Sequence, residues 1–335
     1  MHTAALLTSG LALVGSALAN TAYQVLWDNG EWADPSIFHD VNGNGYYYIY
    51  ATGASGPNVR MARSVDNAKS FQDITADISK DPLPKLGGWA TSPPTTAQVW
   101  APDVIRLPSG KYVMYYSAIS ESATTFPVRH CVGAATSDSP EGPFTPIEQA
   151  LACPLEDGGA IDPNGFIDTD GSIYVIYQVC GNAMGKGGTW IMAQKLLSDG
   201  VTLDPSSGPV KLFESAEIDG NNVEAPSVTK RGDTYFCGFS SNNWNSSFYD
   251  TSYAVSHAIQ STYTKQGPPI APLLTSNTKD GNSGKDLYGP GGADFLDGED
   301  LMVFHAWAGT PGDGYRHVWI ANVSFDPDQE SITLL

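Results

Sequence analysis

Val223-Glu224-Ala225-Pro226-Ser227-Val228 has two counterparts in this 335-residue chain: Ala33-Asp34-Pro35-Ser36-Ile37-Phe38 and Ile161-Asp162-Pro163-Asn164-Gly165-Phe166. Each sets a carboxylate four residues before an apolar residue that opens a strand: Asp34 before Phe38, Asp162 before Phe166, Glu224 before Val228. Each strand runs into a polar turn and then a second strand rich in Tyr or Phe. Two further segments follow the same pattern without the acid, around Val104 and Phe295. The five markers Phe38, Val104, Phe166, Val228 and Phe295 are spaced 62 to 67 residues apart. Even spacing of short strand pairs predicts five four-stranded units, an all-β, five-bladed β-propeller in one domain. A two-sheet sandwich would use similar strands and Gly/Pro turns but does not predict that spacing. No amphipathic helical period of useful length appears, which disfavours a βαβ fold.

Working outward, residues 1–19 read as a signal peptide. Ala4 to Leu13 is a short apolar run, and Ala17-Leu18-Ala19 follows as a cleavage pattern. The run is too short to span a bilayer. Residues 20–335 are then expected to be the propeller domain, secreted and extracellular, and a monomer. The strand from Tyr315 to Phe325 is expected to pair with N-terminal residues and close the ring. Lys and Arg total 17 against 36 Asp and Glu, a net charge of -19. Such a surface repels phosphate backbones and anionic membranes, so neither nucleic acid nor membrane is an expected partner. Charged residues are only 16% of the chain; the aromatic strands and Gly-rich turns fit an extracellular β protein.

Cys131, Cys153, Cys180 and Cys237 are expected to form two disulfides, with Cys131–Cys153 the nearest pair in sequence. Asn245-Ser246-Ser247 and Asn322-Val323-Ser324 are glycosylation sequons. The stretch 181–188 (GNAMGKGG) lacks the Ser or Thr of a phosphate-binding loop and reads as a plain loop. Residues 81–97, with four prolines, read as a long loop between blades one and two, a candidate wall beside the site.

Residues just before the innermost strand of a blade sit at the mouth of the central channel. Asp34, Asp162 and Glu224 are therefore expected to converge there, while Trp100 and Gly291 hold the matching places in blades two and five. Asp34 and Asp162 each precede Pro, so either alone also reads as an ordinary turn starter; Glu224 has no such role. Two carboxyls flanking a glycosidic bond suffice for its hydrolysis, one giving a proton to the leaving oxygen while the other activates water or attacks. A third nearby raises the acid's pKa. No G-x-S-x-G elbow is present for Ser-His-Asp acyl transfer.

In order and spacing, Ala33-Asp34-Pro35-Ser36, Trp100-Ala101-Pro102-Asp103, Gly159-Ala160-Ile161-Asp162-Pro163 and Val223-Glu224-Ala225-Pro226 resemble glycoside hydrolase family 43. Gly289-Pro290-Gly291 and Phe304-His305-Ala306 carry the resemblance into the last blade, over nearly all of the mature chain. The resemblance implies five-bladed propellers that hydrolyse arabinan, arabinoxylan and xylan with inversion. It implies Asp34 as general base, Glu224 as general acid and Asp162 as the residue that tunes and orients the acid. Family members often carry His after G-P-G, near the channel axis, where it can help hold a metal ion. This chain has Gly292 there, so no cofactor is required, and a structural calcium would need another ligand such as His305, which equally reads as a core histidine. Arg316 matches a basic residue of the family's last blade, or covers the ring closure. Trp100 is the candidate for stacking on a sugar, with Asn164 and Asn243 as polar contacts; packing or loop bonding is the alternative for each. Asp103 either faces the channel or caps a turn. The expected activity is that of an exo-acting α-L-arabinofuranosidase on plant cell-wall polysaccharide. The alternatives are a β-xylosidase, an endo-1,5-α-L-arabinanase, and a non-catalytic carbohydrate-binding propeller.

Overall fold

A computed structural model describes residues 21–26, 30–53, 56–91, 99–307 and 314–335. The predicted signal peptide lies outside the described residues, as do positions 92–97 of the long loop. The chain enters through β1 (Thr21–Gln24). Blade one is β2 (Ser36–His39), β3 (Tyr47–Thr52), β4 (Val59–Ser64) and β5 (Gln72–Asp73). Blade two is β6 (Val99–Arg106), β7 (Tyr112–Ile119), β8 (His130–Ser137) and β9 (Thr145–Pro146). Blade three is β10 (Ala160–Ile167), β11 (Ile173–Val179), β12 (Trp190–Leu196) and β13 (Val210–Glu214). Blade four is β14 (Val223–Arg231), β15 (Thr234–Ser241), β16 (Asp250–Ser256) and β17 (Thr264–Lys265). After β18 (Lys279–Asp280), blade five takes β19 (Tyr288–Phe295), β20 (Leu301–Trp307) and β21 (Arg316–Asp326), with β22 (Ser331–Leu334) on the far half of β21. Within each blade consecutive strands pair antiparallel, so the predicted five-bladed propeller is the observed fold.

The core is split into five wedges, one between each pair of neighbouring blades. Tyr48 and Tyr50 of β3 pack with Met114 and Tyr116 of β7; Phe236 of β15 packs with Phe304 of β20; Ile49 packs with Val303 across the last seam. The aromatic second strands are thus buried on both faces, which is why they read as continuous runs and not as alternating ones. Burying each such side chain contributes about 1.5–3 kcal/mol. The ring closes as expected: β1 lies antiparallel to β21, Tyr23 opposite Ile320 and Gln24 opposite Trp319, supplying the outer strand that blade five lacks. Joining the first and last blades in one sheet protects an otherwise open edge.

A ring of hydrogen bonds around the channel holds the blades in phase. Ser36, Asp103, Asn164, Ser227 and Asp294 stand at equivalent register, opposite Tyr50, Tyr115, Ile176, Gly238 and Val303 of the adjoining strands. The Asp103 carboxylate accepts the Gly165 N–H at 2.6 Å, and Asn164 Oδ1 accepts Val228 N–H at 2.9 Å. Ser227 Oγ accepts Phe295 N–H at 2.9 Å, and Asp294 Oδ2 accepts Ile37 N–H at 2.8 Å. At the remaining joint Ser36 donates to the Pro102 carbonyl at 2.7 Å. Asp103 therefore faces the channel, and its carboxyl is part of the fold.

Cys131 and Cys153 form the expected disulfide, but Cys180 and Cys237 are free, so the two-disulfide expectation is corrected to one. Cys180 follows β11 at the mouth end of blade three, near Asp162 and Glu224. Cys237 lies midway along β15 of blade four, opposite Val228 and buried among Phe166, Tyr235 and Tyr263. The described part of the long loop does not stand as a wall. Leu83 is fully buried, the Pro82 carbonyl accepts the Phe144 N–H at 2.7 Å, and Trp89 stacks on Tyr116 of blade two.

Candidate active site

Two residues before the hydrogen-bonded ring, every blade bends into the left-handed region: Asp34 (φ 52°), Ala101 (43°), Asp162 (54°), Ala225 (52°) and Gly292 (58°). In blades two to five this bend interrupts the pairing of the first two strands as a bulge. A non-glycine residue there costs on the order of 1–2 kcal/mol, so the bend persists only where its backbone is tied down. A side chain on the preceding blade's second strand does so in four cases. Thr52 Oγ1 takes the Ala101 N–H at 3.0 Å, Ser117 Oγ that of Asp162 at 3.0 Å, Ser240 Oγ that of Gly292 at 2.8 Å, and His305 Nδ1 that of Asp34 at 3.0 Å. Blade three differs. Gln178 occupies the equivalent place but its Oε1 is buried without a partner, and the Ala225 N–H goes instead to Asp162 Oδ2 at 3.0 Å. Asp162 thereby fixes the amide next to Glu224.

The equal phase inferred for the three acids needs correcting. Asp34 and Asp162 share the bend, but Glu224 lies one residue upstream of it, in step with Trp100, Ile161 and Gly291 on the bonded part of the strand. The bulge turns the next position towards the mouth as well, so residues on both sides of the bend reach one space. Among the described residues Glu31, Asp34, Thr52, Trp100, Asp162, Glu224, Trp244 and Arg316 line one cleft at the mouth.

The three carboxyls have different surroundings. Asp34 Oδ2 accepts the Thr52 hydroxyl at 2.7 Å, while Arg316 Nη1 and His305 Nδ1 stand 3.7 and 3.6 Å from Oδ1. A hydroxyl donor and a guanidinium thus face its two oxygens. Asp162 is held well above the usual carboxylate range, first by burial and then by the charges of Glu224 and Asp34. Glu224 is also raised, chiefly by burial and further by Asp34, against the bonds from Asn222 and Tyr249 that pull it down. Both keep a part-exposed face although protein surrounds them on most sides. One ionised carboxylate and one carboxyl that keeps its proton are the requirements for general base and general acid.

The remaining expected site residues divide. Trp100 lines the cleft with its ring backed by His130 at 3.9 Å, which burial holds neutral with a pKa lowered to about 4. Arg316 also lines it, bonded to Glu31 Oε1 at 2.5 Å and lying 4.7 Å from the Trp244 ring. Asn164 is placed lower, 7% exposed, with its amide engaged by Asp103 and Val228. Asn243 caps its own turn by accepting the Asn245 N–H at 2.8 Å; the cleft residue of that loop is its neighbour Trp244, 43% exposed. His305 is fully buried, with Nδ1 engaged by Asp34. A Cβ at Gly292 would come within 2.6 Å of the His305 ring, so a side chain there has no room. Among the described residues no group of three His, Cys, Asp or Glu is placed to hold a metal ion. Glu31, Thr52, Trp244, Asn222 and Tyr249 were missed by the sequence reading; they come from loops and second strands, where no phase argument singles them out.

Comparison with known proteins follows the same lines. The family model for Glycosyl hydrolases family 43 matches residues 28–330. A curated relative, the extracellular endo-alpha-(1->5)-L-arabinanase of Thermotoga petrophila, is 28% identical over 253 residues, 67% of this chain and 47% of that protein. The xylosidase/arabinosidase 43A of Humicola insolens is 36% identical over 98 residues, 29% of this chain and 24% of that protein. This chain thus spans less than half the length of either relative. The crystal structure of a thermostable family-43 glycoside hydrolase superposes with a TM-score of 0.71 at 24% identity, over 93% of this chain and 95% of that one.

Proposed function

The chain belongs to glycosyl hydrolase family 43, and from that premise we propose that it cleaves α-L-arabinofuranosyl linkages of plant cell-wall arabinan with inversion. The observation that carries the reading is the unequal trio of carboxyls in one cleft. Asp34, beside Arg316 and Thr52, is the base that activates water. Glu224, whose proton burial retains, is the acid that protonates the leaving oxygen. Asp162 holds the amide next to Glu224, and burial with the neighbouring Glu224 and Asp34 charges favours its own neutral form. Trp100 offers an aromatic face for a sugar ring.

Removal of single arabinose units was expected from a walled pocket. With residues 81–91, the described part of that loop, folded against blade two, internal cleavage is the mode we favour. The name of the Thermotoga petrophila relative agrees with it. An exo-acting arabinofuranosidase or β-xylosidase is the second reading, favoured by the Humicola insolens protein, which is named for both activities. Secretion is part of the proposal, from the N-terminal pattern and the extracellular relative. Linear arabinan decides the mode: internal cleavage yields a ladder of oligosaccharides first, whereas end trimming yields arabinose alone. Proton NMR of the first product should show the inverted anomer; a retained anomer overturns Asp34 as base. Equal release by E224Q and the parent protein would leave only a sugar-binding propeller.

A further inference from the structure

Both oxygens of Glu224 are engaged from the protein side. Oε1 accepts the Tyr249 hydroxyl at 2.7 Å and Oε2 the Asn222 amide at 2.8 Å, the same Asn222 nitrogen also reaching the Asn242 carbonyl at 2.9 Å. The direction of the first bond is set further back. Ser240 Oγ takes the Gly292 N–H, which leaves its own proton for the Tyr249 oxygen and the Tyr249 proton for Glu224. Successive donors of this kind polarise one another. The Tyr249 ring is buried and stacked parallel to His305, 5.8 Å between centroids. It rests on Gly291, where a Cβ would lie 2.2 Å from a ring carbon, so glycine is required there to seat the tyrosine.

We propose that Tyr249, backed by Ser240, and Asn222 are positioning residues that hold the Glu224 carboxyl for proton delivery and stabilise the carboxylate left behind. The inference rests on the reading of Glu224 as general acid. As the glycosidic C–O bond breaks, its electron pair goes to the leaving oxygen, which takes the Glu224 proton. Water adds to the anomeric carbon and gives a proton to Asp34. Tyr249 and Asn222 transfer nothing; their bonds strengthen as Glu224 becomes charged.

The test compares Y249F, N222A and E224Q on linear arabinan and on 4-nitrophenyl arabinosides of one to several sugars. A nitrophenolate leaves with little help from an acid, and a sugar alkoxide does not. Y249F is expected to lower kcat on arabinan about tenfold while nearly sparing the nitrophenyl substrates. Loss of a donor to the charged form raises the acid's pKa, with Asp34, Asp162 and Arg316 still facing it. The alkaline limb of kcat/KM should therefore move up by about one pH unit. Equal loss on both substrates, or an unmoved limb, overturns the proposal, since a merely structural tyrosine would give that result. Should Y249F fail to fold by thermal melting, N222A decides on the same two readouts. Full arabinan activity in E224Q would overturn the reading of Glu224 itself; an inactive E224Q beside an unaltered Y249F overturns only the positioning role.

Discussion

Two rings of five residues, two positions apart in every blade, are built on the same backbone and put to different use. The lower ring, Ser36, Asp103, Asn164, Ser227 and Asp294, is polar throughout, and its side chains bond from blade to blade. In the upper ring, Asp34, Ala101, Asp162, Ala225 and Gly292, the shared feature is the backbone bend, and the side chains range from none to a carboxylate. Where the fold needs the side chain, every blade supplies a hydrogen-bonding group. Where it needs only the bend, the side chain is free to carry chemistry. Asp162 does both, which marks blade three as the place where the scaffold and the site share one group.

Substitutions at the two rings should therefore fail in different ways. The largest effect is expected at the mouth: D34N and E224Q should each lower kcat on arabinan about a thousandfold with the melting temperature nearly unchanged. A large stability loss in either would break the distinction. D162A is expected to lower kcat about a hundredfold and also to destabilise the protein measurably, because the Ala225 amide loses its acceptor. In the lower ring D294A strands the Ile37 N–H and the Ser227 hydroxyl, both bonded to it now. It should cost about 2–4 kcal/mol in denaturant unfolding with kcat per folded molecule little altered. The smallest effect is expected from D103N, since blade three already uses Asn164 at that position. The Asp103 carboxyl is raised from 3.8 to about 6, chiefly by burial. The folded state therefore binds that proton more firmly than the unfolded chain. Its contribution is fully present below pH 3.8 and is lost as pH rises through about 6. Thermal melts between pH 4 and 7 should show a shallower decline in D103N than in the parent.

Much of this was legible in the sequence. The repeat of short strand, polar turn and aromatic strand announced the blades because the second strands are buried on both sides. Asp34 and Asp162 stood out by their place four residues before the first apolar residue of a strand, although the Pro after each also allowed a plain turn. Glu224 was found by the same count, a rule that falls one position before the bend in blades two, four and five. The bulge between Glu224 and Ser227 hides the true register, which only the pairing with Ser240 and Gly238 reveals. Trp244, which lines the cleft, and Tyr249, which reaches Glu224, were not legible, because they come from a loop with no period. Gly291 was noticed as part of a motif, but its reason, the ring of Tyr249, lies 42 positions away in sequence. Cys180 and Cys237 show that cysteine counting gives no information on distance between blades.

The seam between the last blade and the first has a consequence for how activity arises during synthesis. Gln24 and His317 share a hydrogen bond across 293 positions, and Asp34 depends on His305 and Arg316 from the far side of the same joint. A nascent polypeptide can stack four wedges and still lack the contacts that hold Asp34, since His305 lies 271 positions after it. Activity of the proposed kind would therefore report that the circle has shut, the most non-local contact of the fold.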